Sequence, residues 1–245
     1  MRKKIIIIFI WILLWQGLSL LVGNRILLVG PWETLCALGR LAVTGEFWQS
    51  LGWTLLRLLL GILLGTGLGF CVAYLAGRKP LLREFLQPAV HFMKAIPVVS
   101  FVILLLIWAG NTWVAFYVVC LVTFPIAYLN MLSGLSALDP KLTEMAGVFR
   151  MPFGRRFRYV ELPQLCPGLS AALALTVGMG FKSGIAAEVI GQALHTIGNE
   201  MYRSKIYLET ADLFAWTAVV ILCSWGTEKL LQWVLRRLGR LSAGS

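Results

Sequence analysis

The chain has 245 residues, 59% of them hydrophobic and 13% charged, with a formal net charge of +11 and a mean hydropathy of +0.81. A soluble domain of this size has too little interior to hide so much apolar surface. Composition therefore excludes a soluble protein and leaves one all-α integral membrane domain, helical because an open backbone cannot cross lipid unsatisfied.

Met1-Arg2-Lys3-Lys4 precedes an apolar run from Ile5 to Val22. A basic start before an apolar core also fits a signal peptide. The run, however, approaches the ~20 residues a span needs, and Gly23-Asn24-Arg25 is a poor cleavage site. The expectation is an uncleaved first span with its N-terminus in the cytoplasm. The segment from Asn24 to Ser50 is mixed; Pro31-Trp32-Glu33-Thr34 opens a short amphipathic pattern (Leu35, Leu38, Leu41) that would lie along the outer interface. Trp48 and Trp53 flank the next span as interfacial aromatics do.

The second span is expected from Thr54 to Ala76. Its Gly61, Gly65 and Gly69 form a small-residue stripe that lets another helix approach closely. Gly65-Thr66-Gly67-Leu68-Gly69 is no nucleotide fingerprint, because no strand precedes it and no acidic residue follows at the right distance. Gly77-Arg78-Lys79-Pro80 stops the span. A short amphipathic cytoplasmic helix follows (Leu82, Phe85, Leu86, Val90). The third span begins near Ala95, shaped by Pro97, and closes at Gly110-Asn111. The fourth starts at Trp113 and runs to Leu132 with Pro125 inside it, so the tight turn makes these two an antiparallel hairpin. A charged segment from Asp139 to Pro163 leads to the fifth span, Leu169 to Ile190. Mixed sequence separates this from the sixth, Leu213 to Trp233, which ends in Arg236-Arg237-Leu238-Gly239-Arg240.

Six spans return the C-terminus to the cytoplasm. Arg2, Lys3, Lys4, Arg78, Lys79, Arg83, the five cations of the charged segment and Arg236, Arg237 and Arg240 then lie inside. Only Arg25, Arg40, Arg203 and Lys205 lie outside. This asymmetry is the positive-inside rule, and it accounts for the net charge without a nucleic-acid partner. The expected organisation is an N-terminal helix and outer segment (1–46), a transmembrane domain (47–235) and a basic cytoplasmic tail (236–245).

Cys36, Cys71, Cys120, Cys166 and Cys223 make no CxxC pair and mostly fall in apolar runs, where a thiol acts as a small hydrophobe. His91 and His195 lie far apart. Neither a disulfide framework nor a metal site is expected.

The segment DPKLTEMAGVFRMPFGRRFRYVELP carries Lys141, Arg150, Arg155, Arg156 and Arg158 against Asp139, Glu144 and Glu161. Asp139 can cap a helix and Pro140 is pre-set for its first position. Leu142, Met145, Ala146 and Phe149 then fall on one face, and Phe153, Phe157 and Val160 make a second stripe after Pro152. The expected object is two short amphipathic helices, bent at Met151-Pro152 and ended by Leu162-Pro163 and Pro167, with apolar knobs and a cationic rim. By physics alone, such a pair also fits an interfacial element resting on anionic lipid.

Glu144-Met145-Ala146, followed by Val160-Glu161-Leu162-Pro163, resembles the loop of ABC importer permeases whose pattern is Glu-Ala-Ala, three residues, Gly, nine residues, Ile-x-Leu-Pro. Phe47-Trp48, Thr54-Leu55-Leu56-Arg57, Ala95-Ile96-Pro97, Ile107-Trp108-Ala109-Gly110, Phe124-Pro125-Ile126 and Ala187-Glu188 are similar to the branch that includes nitrate, taurine and alkanesulfonate importer permeases, over about Phe47 to Leu235. Two residues depart from the pattern: Met145 replaces the first Ala, and Arg150 stands where the family usually has Gly.

The resemblance implies a type I transmembrane domain with its coupling-helix loop between spans four and five. In such importers this loop enters a groove on a cytoplasmic ATPase. It implies a coupling element of Glu144, Met145, Ala146, Gly147, Arg150, Phe153, Gly154, Leu162 and Pro163, with Glu144, Ala146, Gly147, Arg150 and Phe153 forming the docking surface. It also implies a second permease copy, two ABC ATPase subunits and an extracytoplasmic binding protein, in a bacterial cell membrane. ATP and Mg belong to the ATPases, and this chain is a transport subunit rather than an enzyme. Close relatives carry small sulfonates, nitrate and pyrimidine vitamin precursors.

Ionisable residues inside spans are functional candidates. Arg57 lies in the outer part of span two, Lys182 midway along span five, and Glu188 near that span's outer end. Arg57 and Glu188 could pair structurally. Lys182, among Gly178, Gly180 and Gly184, could reach a pathway for an anionic solute or snorkel into a cleft. A membrane-embedded hydrolase would need paired acids, a Ser/His pair or a metal cluster, which are absent from the sequence pattern. An ion-gradient transporter would favour internal repeats, and none is clear.

Overall fold

The computed structural model describes residues 2–243, and all of its regular elements are helices. Met1 of the basic start and Gly244 and Ser245 of the basic tail lie outside the described residues. In chain order the elements are α1 (Arg2–Val22), α2 (Pro31–Ala42), α3 (Gly45–Arg78), α4 (Pro80–Ala95), α5 (Val98–Ala109) and α6 (Val114–Ser136). There follow α7 (Pro140–Val148), α8 (Phe153–Arg156), a π-helical turn (Phe157–Glu161), α9 (Leu162–Gly191), α10 (Ile197–Ile206) and α11 (Thr210–Ala243).

Local chemistry sets several starts. Pro31 opens α2, the Thr44 hydroxyl accepts from Phe47 N at 3.3 Å to cap α3, and Asp139 accepts from Lys141 N at 2.8 Å to cap α7. The two side-chain caps each satisfy an amide that the first helical turn leaves without a partner, and Pro31 has no such amide to satisfy.

Four helical stretches are long and apolar enough to cross a membrane: Gly45–Arg78, Val114–Ser136, Phe153–Gly191 and Thr210–Leu235. A fifth candidate is the pair α4 and α5, bent by 98°. The six spans expected from sequence are thus matched by four or five among the described residues. The apolar stretch of α1, Ile6–Val22, is shorter than the others. The expected third span is also short: the 12 residues of α5 reach only about 18 Å, against a hydrocarbon core of about 30 Å. Its start is fixed by Pro97, which holds Ile96 in an extended conformation (φ −71, ψ 131) because the proline ring crowds the preceding residue out of the helical region.

A further correction concerns Leu162-Pro163 and Pro167, expected to end the second short helix; Pro167 lies inside α9. The chain instead runs as one helical stretch from Phe153 to Gly191. Pro163 has no N–H for the carbonyl of Tyr159. The turn just before it widens, and Leu162 N bonds to Phe157 O, one residue further back than an α-helix would reach. This widening lets the helix pass the proline unbroken.

The core lies between α3, α6, α9 and α11, where Leu58, Ile62, Val118, Val119, Val177 and Phe181 are buried with Trp216. A second cluster, around Ala73, Tyr128, Met131 and Leu165, fills the end nearer the charged segment. The axes of α3 and α6 come close at the glycine stripe. A methyl group on Gly65 would lie 2.6 Å from Cys120 O and overlap Thr123 Oγ1, and one on Gly69 would lie 2.7 Å from Phe124 O. Gly61 meets Phe116 O at 2.8 Å in the same way. Backbone contact replaces side-chain interlock along this seam.

Candidate functional site

The charged segment is built as a knob on a clamp. Helix α7 ends in a paired hydrogen-bond cap: Arg150 N donates to Gly147 O at 2.9 Å and Met151 N to Ala146 O at 3.0 Å. This cap requires a left-handed residue at its hinge, which is normally glycine. Here the hinge is Arg150, with φ +47°. The position at which this sequence departs from the family pattern therefore keeps the backbone conformation that glycine would supply.

The bend leaves Phe149 73% exposed, beside Val148, Met145, Leu142 and Phe153, all exposed. Glu144, Gly147, Arg150 and Gly154 are also exposed. Ala146 is the exception to the expected docking surface. It is 1% exposed, so it anchors the helix instead of presenting a contact. Leu162 and Pro163 are half-buried at the start of α9.

Glu161 closes the clamp. Only 2% exposed, its Oε1 accepts from Arg78 Nη2 and from Arg156 Nε, both at 2.9 Å. Its Oε2 accepts from Tyr74 OH at 2.6 Å and from Arg78 Nη2 at 3.1 Å. Arg78 also donates to Tyr74 OH, and its guanidinium carbon lies 4.5 Å from the Tyr74 ring centre and 4.8 Å from that of Phe153. One carboxylate thus joins the end of α3 to α8. A buried carboxylate is tolerable because donors occupy both of its oxygens. A second tie runs from Asp139 N to Gln164 Oε1, 2.9 Å, linking the start of α7 to α9.

The intramembrane charges divide in two. Glu188 is fully buried; its Oε2 accepts from Thr54 Oγ1 at 2.9 Å and from Gly198 N at 3.2 Å. Thr54 Oγ1 in turn accepts from Ile197 N at 2.9 Å. The carboxylate therefore faces the N-terminus of α10, where free amides favour negative charge, and it binds α3, α9 and α10 together. Arg57, 5% exposed, lies with its guanidinium carbon 5.4 Å from the Trp53 ring centre and 5.7 Å from that of Trp113. The direct Arg57–Glu188 pair weighed from sequence is not formed: Arg57 Nε and Nη1 and Glu188 Oε1 have no hydrogen-bond partner. The α10 amides and the indole faces take the two groups instead. Lys182 behaves differently. It is exposed on α9, opens on a cleft of about 470 Å³ between α9 and α11, and makes no hydrogen bond or ion pair among the described residues.

Residues 61–240 match the family described as the binding-protein-dependent transport system inner membrane component. The chain belongs to that family. It is 24% identical to the putative aliphatic sulfonates transport permease protein SsuC of Bacillus subtilis, covering 96% of this chain and 86% of that one. It is 23% identical to the taurine transport system permease protein TauC of Escherichia coli, over 95% and 86% of the two chains. Identity to the bicarbonate transport system permease protein CmpB of Synechococcus elongatus is 25%, over 79% and 71%. Among solved structures, an inward-facing conformation of the MetNI methionine ABC transporter superposes with a TM-score of 0.57 and 18% identity, over 80% of this chain and 94% of that one. This family member is a multi-pass transport permease of ABC type, not an enzyme.

The permease's knob is written in consecutive residues, but its clamp is not. Glu161, Arg78 and Tyr74 are far apart in the chain, and Arg78 looked like one more cytoplasmic cation. The available signal is Glu161, an acid that closely follows the arginines at 150, 155, 156 and 158. Glu188 and Thr54 lay within quoted motifs, yet only the packing of α10 shows what they hold.

Proposed function

We propose that this chain is the permease subunit of an ATP-driven importer that moves a small anionic solute across the bacterial cell membrane by alternating access. The observation that carries this reading is the exposed knob of α7 and α8, apolar and rimmed with arginine, fixed to α3 and α9 by Glu161 and Gln164. A surface that must take force from a soluble motor has to be exposed where it docks and rigid where it joins the membrane helices. Two cytoplasmic ABC ATPase subunits hold the ATP and Mg, a second permease copy completes the channel, and an extracytoplasmic protein delivers the solute. Six spans, with α1 the first, place both termini in the cytoplasm, which puts the knob on the ATPase side. Glu144, Met145, Gly147, Arg150, Phe153 and Gly154 then belong to the docking surface, and Ala146, Leu162 and Pro163 support it.

The anionic solute follows from Lys182, an unpaired cation in the membrane-spanning part of α9, and agrees with the sulfonate, taurine and bicarbonate named for relatives. The reading is tested by co-purification. Phe149→Asp, at an exposed knob position, is expected to abolish recovery of the ATPase with the detergent-solubilised permease while leaving its elution volume unchanged. Undiminished recovery would show that the ATPase docks elsewhere.

A further inference from the structure

The cleft that receives Lys182 contains a second charge. On its α11 wall stand Glu228, Trp225, Ser224 and Thr217, and on its α9 wall Lys182 and Gly178. The remainder of its lining is apolar, with Phe181 and Ile185 from α9 and Val220 and Ile221 from α11. Lys182 lies about 14 Å from the end of α9 at Gly191, at 1.5 Å per residue, well inside the span. Glu228 lies within the apolar stretch of α11 that ends at Leu235; its Oε1 accepts one hydrogen bond, from Gln232 Nε2 at 2.9 Å.

An uncompensated ammonium and a carboxylate on one face of a membrane domain exclude lipid from that face, because hydrocarbon strongly disfavours both. The cleft is therefore left to water, a ligand or the second permease copy rather than to lipid. A mostly apolar hollow of several hundred Å³ with a few converging polar groups is the usual form of a small-molecule site. Lys182 and Glu228 are not ion-paired to each other, so each can take a charge from outside.

We infer that this cleft is a substrate station that takes a small zwitterion, an alkyl chain with an anionic group at one end and an ammonium at the other. Lys182 receives the anionic group, Glu228 the ammonium, and the apolar walls the alkyl chain. Trp225 lines the same cleft and adds an aromatic side chain, a type that attracts cations. This rests on the permease reading and narrows it: the cargo is an anion that also carries a positive charge, and Glu228 is the residue that selects for it. A mono-anion of the same size would leave Glu228 facing an uncharged methyl group, and a carboxylate repels an anion.

The test measures equilibrium binding of radiolabelled 3-aminopropanesulfonate and propanesulfonate to the full-length permease, purified with its ATPase partner. The native protein is expected to bind the amino compound at least ~10-fold more tightly. Glu228→Gln should bring the two affinities within about twofold by weakening the amino compound alone, so that propanesulfonate binding certifies the fold. Lys182→Gln should weaken both by ~10-fold or more. If Glu228→Gln cannot be purified, Glu228→Asp, which keeps the charge, must retain a preference of at least ~3-fold. Equal native affinities, no binding of either probe, or a preference that survives Glu228→Gln would each overturn the inference. Failure of the permease reading would appear separately, as a chain that purifies with no ATPase, whatever its affinity for the two probes.

Discussion

Replacing Glu161 by Gln keeps the side chain's size and removes its charge from a site that is 2% exposed. Arg78 and Arg156 would then face an amide whose NH2 group cannot accept from them. Buried charge-assisted hydrogen bonds contribute about 1.5–3 kcal/mol each, and breaking a fully buried pair costs about 3–5 kcal/mol. The arginines keep 38% and 34% of their side-chain surface exposed, so water recovers part of that loss. A net local cost of about 2 kcal/mol remains, equivalent to a ~30-fold change in an opening equilibrium at 1.36 kcal/mol per decade. Hydrogen–deuterium exchange is the direct assay. Amides of α7 and α8 should exchange ~30-fold faster in Glu161→Gln, while those of α6, held by the core, stay unchanged. In the assembled transporter the ratio of solute-stimulated to basal ATPase activity should fall, because the knob can then move without α3. Arg155→Gln, an exposed cation in the same turn, is the control and should do neither. Unchanged exchange in α7 and α8 would refute the clamp; altered exchange with an unchanged ATPase ratio would refute its part in coupling.

Other consequences are equally direct. Gly65→Leu forces a side chain into Cys120 and Thr123 and should lower thermal stability in detergent by about 3 kcal/mol or more, the upper end of overpacking costs. Arg150→Gly should stabilise α7 by about 1 kcal/mol, because a side chain in the left-handed region costs that much; slower amide exchange at residues 145–151 would report it. Glu188→Ala removes the acceptor for Thr54 and Gly198 and should cost about 2–3 kcal/mol. Glu188→Gln, which keeps a carbonyl oxygen, should cost about half as much by the same thermal measurement.

How much of this protein was legible in the sequence depended on range along the chain. The apolar runs, the cationic ends, the Asp139-Pro140 start and the Gly61–Gly69 stripe are signals written in consecutive residues, and each leaves a local periodicity or cap. The Glu144-to-Pro163 spacing was likewise readable, and it led to the family that residues 61–240 match. Where a rule of local chemistry had two solutions, sequence chose wrongly. Pro163 reads as a stop, but a widened turn carries the helix past it. Ala146 shares its helix face with Phe149, yet packing against the rest of the chain buries it at 1% exposure while Phe149 stays open. Arg57 and Glu188 were candidates for a pair because opposite charges in lipid seek each other. The folded chain offers Glu188 the amides of α10 and Arg57 two indoles, partners that no sequence separation announces.

By itself, then, the sequence determined that the chain is a helical membrane protein with a basic amphipathic knob, because hydropathy, charge bias and helix capping act between near neighbours. Only the tertiary structure decided how that knob is held. Tyr74, Arg78, Arg156 and Glu161 come together because α3 and α9 pack side by side, and a buried carboxylate is stable only where the fold delivers donors to both of its oxygens.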